Sequence, residues 1–297
     1  MTKKPIKEKA KLCIAISSRA LFDLEQDHQY FTTHGPEKYI QEQRKKEQEP
    51  LAPGSAFNMV KKLLALNEME DNNVEVILVS RNSFDTGVRI FNSIKHHNLA
   101  IARSYFCDGN SPFKYLKSFR TALFLSQNQE DVKLALQANQ AAARIVPRAY
   151  SSPNDSSLNI AFDGDAVIFS DASERLYKEQ GFEKFISHED NNAQLPMSQG
   201  PFAGFLKALY DLQTALPNEQ CPIRTALVTA RSAPAHERVI RTLRAWNIRL
   251  DETLFLGGLD KGGFLEAFAA DIFFDDQTVH CLSANAHVPT GQVAYED

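Results

Sequence analysis

The feature that most constrains this chain is that its first half can be laid on its second. Without a gap, Ser17 falls on Asp163, Arg19 on Asp165 and Ala20 on Ala166. In the same register the run from Gly35 to Ile40 meets the run from Gly181 to Ile186, and Pro50, Gly54 and Lys61 meet Pro196, Gly200 and Lys207. After one short shift, Leu78, Val79 and Ser80 meet Leu227, Val228 and Thr229, and Asn98, Phe106, Gly109, Phe119 and Phe124 meet Asn247, Phe255, Gly258, Phe268 and Phe273. The repeated unit is far longer than a solenoid period, so it is a domain-sized unit used twice. Within each copy, apolar runs of strand length alternate with helical segments, the pattern of an α/β fold with a parallel sheet. Two tandem Rossmann-like units are therefore expected, residues 1–150 and 151–297, each a parallel sheet flanked by helices. The polar, turn-rich segment 147–157 marks their boundary, and before it 131–143 reads as an alanine-rich helix.

A chain of 297 residues supplies cores for two such units. The net charge of −4 gives no global attraction to a nucleic-acid polymer. Cys13, Cys107, Cys221 and Cys281 show no CxxC spacing, which argues against zinc and a disulfide framework and fits a reducing, cytoplasmic setting. The start is basic, but the apolar run after it stops at Ile16, too short for a signal-peptide core or a membrane span.

The chemistry concentrates in the second copy. The apolar run from Leu158 to Phe162 ends in Asp163-Gly164-Asp165. A buried strand of this kind delivers carboxylates to its carboxyl end, where α/β sheets place their sites. Gly164 lets the chain turn away and a ligand come close. Two carboxylates so near each other call for a hard cation such as Mg²⁺. Asp163 is a candidate nucleophile and Asp165 a candidate acid/base; an ordinary Asp-Gly turn is the alternative for this motif alone. Later strand ends add to it. The run 225–231 ends in Thr229, Ala230 and Arg231; the glycine-rich turn 257–263 carries Lys261; the run 271–277 ends in Asp275 and Asp276.

In that order, DxD, Thr, Lys and DD resemble the haloacid-dehalogenase-like phosphohydrolases over 158–280. The resemblance implies that Asp163 attacks phosphorus to give an aspartyl-phosphate and that Asp165 serves as acid and then base. It implies that Thr229 bonds a phosphoryl oxygen and that Lys261 neutralises phosphate and nucleophile. Asp275, Asp276, Asp163 and the main-chain carbonyl of Asp165 would hold Mg²⁺. Gly164, Ala230 and Arg231 would lie against the substrate.

The first copy lacks these groups. It has Ser17 and Arg19 for the carboxylates, Ser126 and Gln127 for Asp275 and Asp276, and Pro112 for Lys261. It is expected to be non-catalytic. Ser17, Arg19, Ser80 and Arg81 nevertheless gather hydroxyls and guanidinium groups, a candidate phosphate site for a nucleotide effector; residues supporting an interface between the halves are the alternative. Each copy carries a small helical cap insertion between its first two strands; in the second copy it is 173–219, with a helix closed by Gly181 and a second apolar stripe from Phe202 to Leu212. Phe182, Phe185 and Phe202 are candidates to stack on a flat base, against core packing as the alternative, which is preferred for Phe205. The charge run 41–49 is balanced in sign and reads as solvated. His280 and His287 are expected on irregular chain with structural roles.

The runs Ser17 to Asp23, Phe162 to Asp171, Leu259 to Gly262, Phe274 to Gln277 and His287 to Gly291 together resemble the cytosolic 5′-nucleotidase type I family along nearly the whole chain. That resemblance implies Mg²⁺-dependent hydrolysis of nucleoside 5′-monophosphates, AMP being the expected substrate, by a homo-oligomer with no membrane attachment. The ending Ala294-Tyr-Glu-Asp297 departs from the glycine-containing end usual in the family. A sugar-phosphate phosphatase of the same superfamily, or a nucleotide-binding sensor without turnover, are the rival readings.

Overall fold

The computed structural model describes residues 12–69, 74–152, 156–216 and 221–293. The basic start, the centre of the boundary segment, the end of the cap insertion and the departing carboxyl terminus all lie outside the described residues.

Ten strands form one sheet. They are β1 (Leu12–Ser17), β2 (Val74–Ser80), β3 (Arg103–Phe106), β4 (Leu123–Ser126), β5 (Ala142–Ile145), β6 (Leu158–Phe162), β7 (Ile223–Thr229), β8 (Glu252–Phe255), β9 (Ile272–Asp275) and β10 (Thr290–Gln292). Their order is β3-β2-β1-β4-β5-β10-β9-β6-β7-β8. Read from either edge inward, each half has the same sequence of strands, and within each half all neighbours are parallel. The central strands are buried along their length, as expected of parallel strands covered by helices on both faces.

The halves meet at an antiparallel pair, with Gly291 opposite Ile145 and Gln292 opposite Arg144. Two separate sheets were expected, and one continuous sheet is found. The junction needs small residues. A Cβ on Gly291 would stand 2.8 Å from the Phe274 ring and 3.0 Å from the Ala143 Cβ. This also corrects the alanine-rich helix. The helix is Gln129–Gln137, while Ala142 and Ala143 lie in β5 between β4 and β10. Close sheet packing overrides alanine's helix preference there.

The repeat is visible in the backbone. Gly35 and Gly181 both kink a helix pair at φ 79° and 82°. Asn98 and Asn247, and Gly109 and Gly258, likewise share positive φ. The cap insertion divides in two. Helices Ala172–Gln180 and Phe182–Asn191 form a hairpin about Gly181, whereas helix Ala203–Ala215 buries Phe205, Leu206, Leu209 and Leu212 in the main core. The third helix belongs to the sheet layer, because its apolar stripe has only the sheet to cover it. Among the described residues no helix is long and apolar enough to cross a membrane.

Candidate active site

The side chains singled out in the second copy converge at the carboxyl ends of β6, β7 and β9. Asp163 follows β6 directly, and its N–H donates to the Phe274 carbonyl at 2.8 Å, tying it to β9. A wide turn over Gly164–Ile168, with Asp165 extended and Ala166 at φ 58°, carries the chain away. Thr229 ends β7; a Cβ placed on Gly164 would lie 3.4 Å from its Oγ1, so glycine brings the first turn against the hydroxyl. Lys261 caps the helix Gly262–Ala267 and is buried. Its Nζ donates to Asp163 Oδ1 and to Asp275 Oδ2, both at 2.6 Å.

Asp163, Asp275 and Asp276 offer carboxylate oxygens within 4.8 Å of one another. Their charge exceeds what Lys261 supplies. Burial raises the carboxyl of Asp163, with Asp275 adding to the effect against Lys261. Burial, then the neighbouring Glu174, Asp163 and Asp275, pushes Asp276 up to about 9. Asp275 is held below the usual carboxylate range despite its burial, by His280 and Lys261. Its oxygens are occupied: Oδ1 accepts from the Gln277 N–H at 2.8 Å and Oδ2 from Lys261. Asp276 Oδ1 is buried without a partner. An orphaned carboxylate oxygen in an excess of negative charge, surrounded by hard oxygen donors, fits a divalent cation such as Mg²⁺. Asp163 and Asp276 have the oxygens to hold it, with Asp275 behind them.

Asp165 stands apart from this cluster. Arg231 grips it with two nitrogens, Nε to Oδ2 at 2.7 Å and Nη2 to Oδ1 at 2.6 Å. The third nitrogen reaches Glu189 Oε2 at 2.6 Å. Glu189, on the cap hairpin, is buried and also accepts from Ser173 and Arg238, each at 2.9 Å. The Arg231 ring of partners keeps its guanidinium firmly charged despite burial. Arg231, expected against substrate, pairs here with Asp165 and with Glu189 and so links β7 to the cap, while Ala230 beside it is exposed.

The aromatic expectations separate. Phe182 is 58% exposed on the cap hairpin. Phe185 is nearly buried, its ring 5.4 Å from the Arg231 guanidinium. Phe202 is fully buried against Phe162, Phe205 and Phe274, so it has no face left for a base, and that expectation is corrected. His280 is also corrected. It lies in helix Thr278–Asn285, with Nδ1 3.4 Å from Asp275 Oδ2.

Sequence reasoning missed Glu189, Glu174, Gln277 and His280. Gln277 Nε2 donates to Glu174 Oε1 at 3.3 Å, beside Asp276. The adjacency of Gln277 to the paired aspartates was a signal; Glu189 and Glu174, on cap helices of mixed charge, gave none. In the first half, Ser17, Arg19, Ser80 and Arg81 gather at the matching strand ends. Ser18 and Ser80 share a hydroxyl hydrogen bond of 3.0 Å, and Arg81 pairs with Asp131 at 2.7 and 2.8 Å.

A family model described as 5′-nucleotidase matches residues 4–297. The chain belongs to the 5′-nucleotidase family. It is 39% identical over 293 residues to human cytosolic 5′-nucleotidase 1B, a match covering 94% of this chain and 48% of that protein. It thus spans about half the length of that curated relative. Among solved structures, that of a Pnkp1/Rnl/Hen1 complex aligns over 99% of this chain and 100% of that one, at a TM-score of 0.35 and 15% identity.

Proposed function

We propose that the chain hydrolyses nucleoside 5′-monophosphates, AMP first among them, to nucleoside and phosphate, with Mg²⁺ held by Asp163 and Asp276 and with Asp275 backing them. One observation carries the reading: Lys261 bridges Asp163 and Asp275 at 2.6 Å beside the orphaned Asp276 oxygen, in a chain of the 5′-nucleotidase family. Phosphoryl transfer needs positioning and charge neutralisation more than elaborate covalent chemistry.

In this reading the free Oδ2 of Asp163 attacks phosphorus, while Lys261 fixes Oδ1 and offsets the charge that builds on the phosphoryl oxygens. The bond from phosphorus to the ribose oxygen breaks, and Asp165 gives that oxygen its proton. Water then attacks the aspartyl-phosphate, passing a proton to Asp165 and regenerating Asp163. The two-pronged Arg231 grip holds Asp165 in place for both proton transfers and, through Glu189, ties the cap hairpin to the cycle. Thr229 offers its hydroxyl to the phosphate. The cation, when bound, screens the carboxylates from the incoming phosphate. Phe182, exposed on the cap hairpin as Tyr177 also is, is the aromatic read here as meeting the base. Unit 1–150 is non-catalytic in this reading and unit 151–297 carries the chemistry. Residence in the cytosol is supported by the relative's name and by four free cysteines. Assembly into homo-oligomers is checked by light scattering.

The test is phosphate release from AMP, other nucleotides and sugar phosphates, with Mg²⁺ or with chelator, for the native chain and Asp163→Asn. Release from AMP that needs Mg²⁺ and falls below about a thousandth in the variant supports the reading. Preference for a sugar phosphate, or binding without turnover, sinks it.

A further inference from the structure

At the carboxyl ends of β1, β2 and β4 lies a cavity of about 660 Å³, with Ser17, Arg19, Arg81, Ser126, Phe31 and Tyr39 in its wall. Its place in the first half is that of Asp163, Thr229 and Asp275 in the second, but the polarity is inverted. The second-half strand ends present acceptors and call for a cation. Here Ser17 Oγ accepts from the Ala20 N–H at 3.3 Å and Ser126 Oγ from the Asn128 N–H at 3.1 Å. A backbone donor thus takes one of the two acceptor positions of each hydroxyl, and the hydroxyl proton can donate into the cavity.

Arg19 supplies the charge. Its Nε is buried without a partner, and its one ion pair, Nη2 to Glu25 at 3.0 Å, is to a half-exposed carboxylate that gives it up at little cost. Arg81 is fixed by Asp131 and by the Gly109 carbonyl at 3.0 Å, so Asp131 is neutralised where it faces the cavity. The other acid in the wall, Asp108, is solvent-exposed. Hydroxyl donors and an available guanidinium select a phosphate and need no metal. Across the cavity Phe31 stands edge-on to Tyr39, centroids 5.5 Å apart, and stacks with His28, an apolar wall suited to a planar ring. The volume is that of a small-ligand site.

We propose that this cavity binds a phosphate monoester carrying a planar ring, of the class of nucleoside phosphates, without metal and without turnover. No carboxylate stands at its strand ends to attack phosphorus or carry a proton. The proposal stands on the first half's own donors and is independent of hydrolysis by the second.

Equilibrium dialysis of AMP in excess chelator tests it on the full chain. The native chain is expected to bind AMP; Arg19→Gln weakens this binding by about tenfold or more and Ser126→Ala by several-fold, while the Arg19-dependent binding persists in Lys261→Met, which removes the phosphate-neutralising group of the second half. Arg19→Lys, keeping the charge but not the fork, recovers part of the loss. Inorganic phosphate competes, more weakly than AMP, and adenosine does not. Melting temperatures of the Arg19 variants stay close to the native chain's, since the ion pair they lose is to a half-exposed glutamate. Absence of binding in chelator, loss on Lys261→Met but not on Arg19→Gln, or competition by adenosine alone would overturn the proposal. Phosphate binding as tightly as AMP would overturn its aromatic part.

Discussion

Arg231 shows how a single side chain can couple two elements that sequence keeps far apart. It joins Asp165 after β6 to Glu189 on the cap hairpin, with all three side chains largely withdrawn from water. A lysine keeps the charge but offers one point of contact, so the fork that orients Asp165 is lost. Arg231→Lys is expected to lower kcat for AMP by about a hundredfold with KM little changed, because a misplaced acid/base group costs rate more than binding. Steady-state kinetics check it; an unchanged kcat would remove Arg231 from the positioning role. The repeat also leaves a residue-scale trace. Arg103 pairs with Glu75 across β3 and β2, and Arg224 with Glu252 across β7 and β8, at matching positions with the signs exchanged. The cross-strand contact is preserved although neither residue type is.

At the scale of elements, the two tight crossings that follow the first strand of each half depend on glycine. A Cβ on Gly200 would lie 2.3 Å from the Phe169 carbonyl oxygen and 2.5 Å from that of Val167, and one on Gly54 would lie 2.8 Å from the Phe22 backbone. These are backbone atoms that cannot swing aside. Gly200→Ala is expected to cost about 1–3 kcal/mol by urea denaturation, an overpacking penalty, and to shift the turn leading to the cap. Gly181 has open space around it but φ 82° and ψ 176°, a region almost reserved for glycine. Gly181→Ala therefore costs about 1–3 kcal/mol through strain alone, and the two causes separate when Gly200→Ser costs more than Gly200→Ala while Gly181→Ser costs about as much as Gly181→Ala.

For the whole molecule, the halves are locked by the β5–β10 pair and by a buried ion pair. Lys62 reaches Asp271 at 2.8 Å, both side chains under a tenth exposed, and also donates to the Ser157 carbonyl at 2.6 Å. Lys62→Met leaves the Asp271 charge buried and is expected to cost about 3 kcal/mol, the lower end for breaking such a pair; loss of stability in calorimetry without loss of the fold's far-UV signature checks it. The acidic cluster sets a pH dependence. In the absence of a cation the folded-state pKa of Asp276 is raised to about 9, so the stability it contributes at acid pH is lost as pH climbs through that value. A bound cation reverses this. The rise in Tm on adding Mg²⁺ is expected to be larger at about pH 8.5 than at about pH 6, and an increment independent of pH would exclude Asp276 from the metal site.

What the chain determined by itself was the local pattern. Apolar runs ending in Asp163, Thr229 and Asp275 announced strands with chemistry at their carboxyl ends, and the match of one half on the other announced a repeated unit, because strand periodicity and glycine positions are properties of near neighbours. The alanines of β5, read as helix, and the continuity of the sheet were decided elsewhere. A strand of small residues becomes a strand only when β4 and β10 close on it, and two sheet edges join only when both are left bare. The same holds at the site. Sequence supplied the carboxylates and Lys261, but that Arg231 faces Asp165, that Glu189 anchors it from the cap, and that Phe202 is sealed in the core follow from contacts between residues far apart in the chain. Such contacts are fixed by burial and charge pairing in three dimensions, which no local spacing encodes.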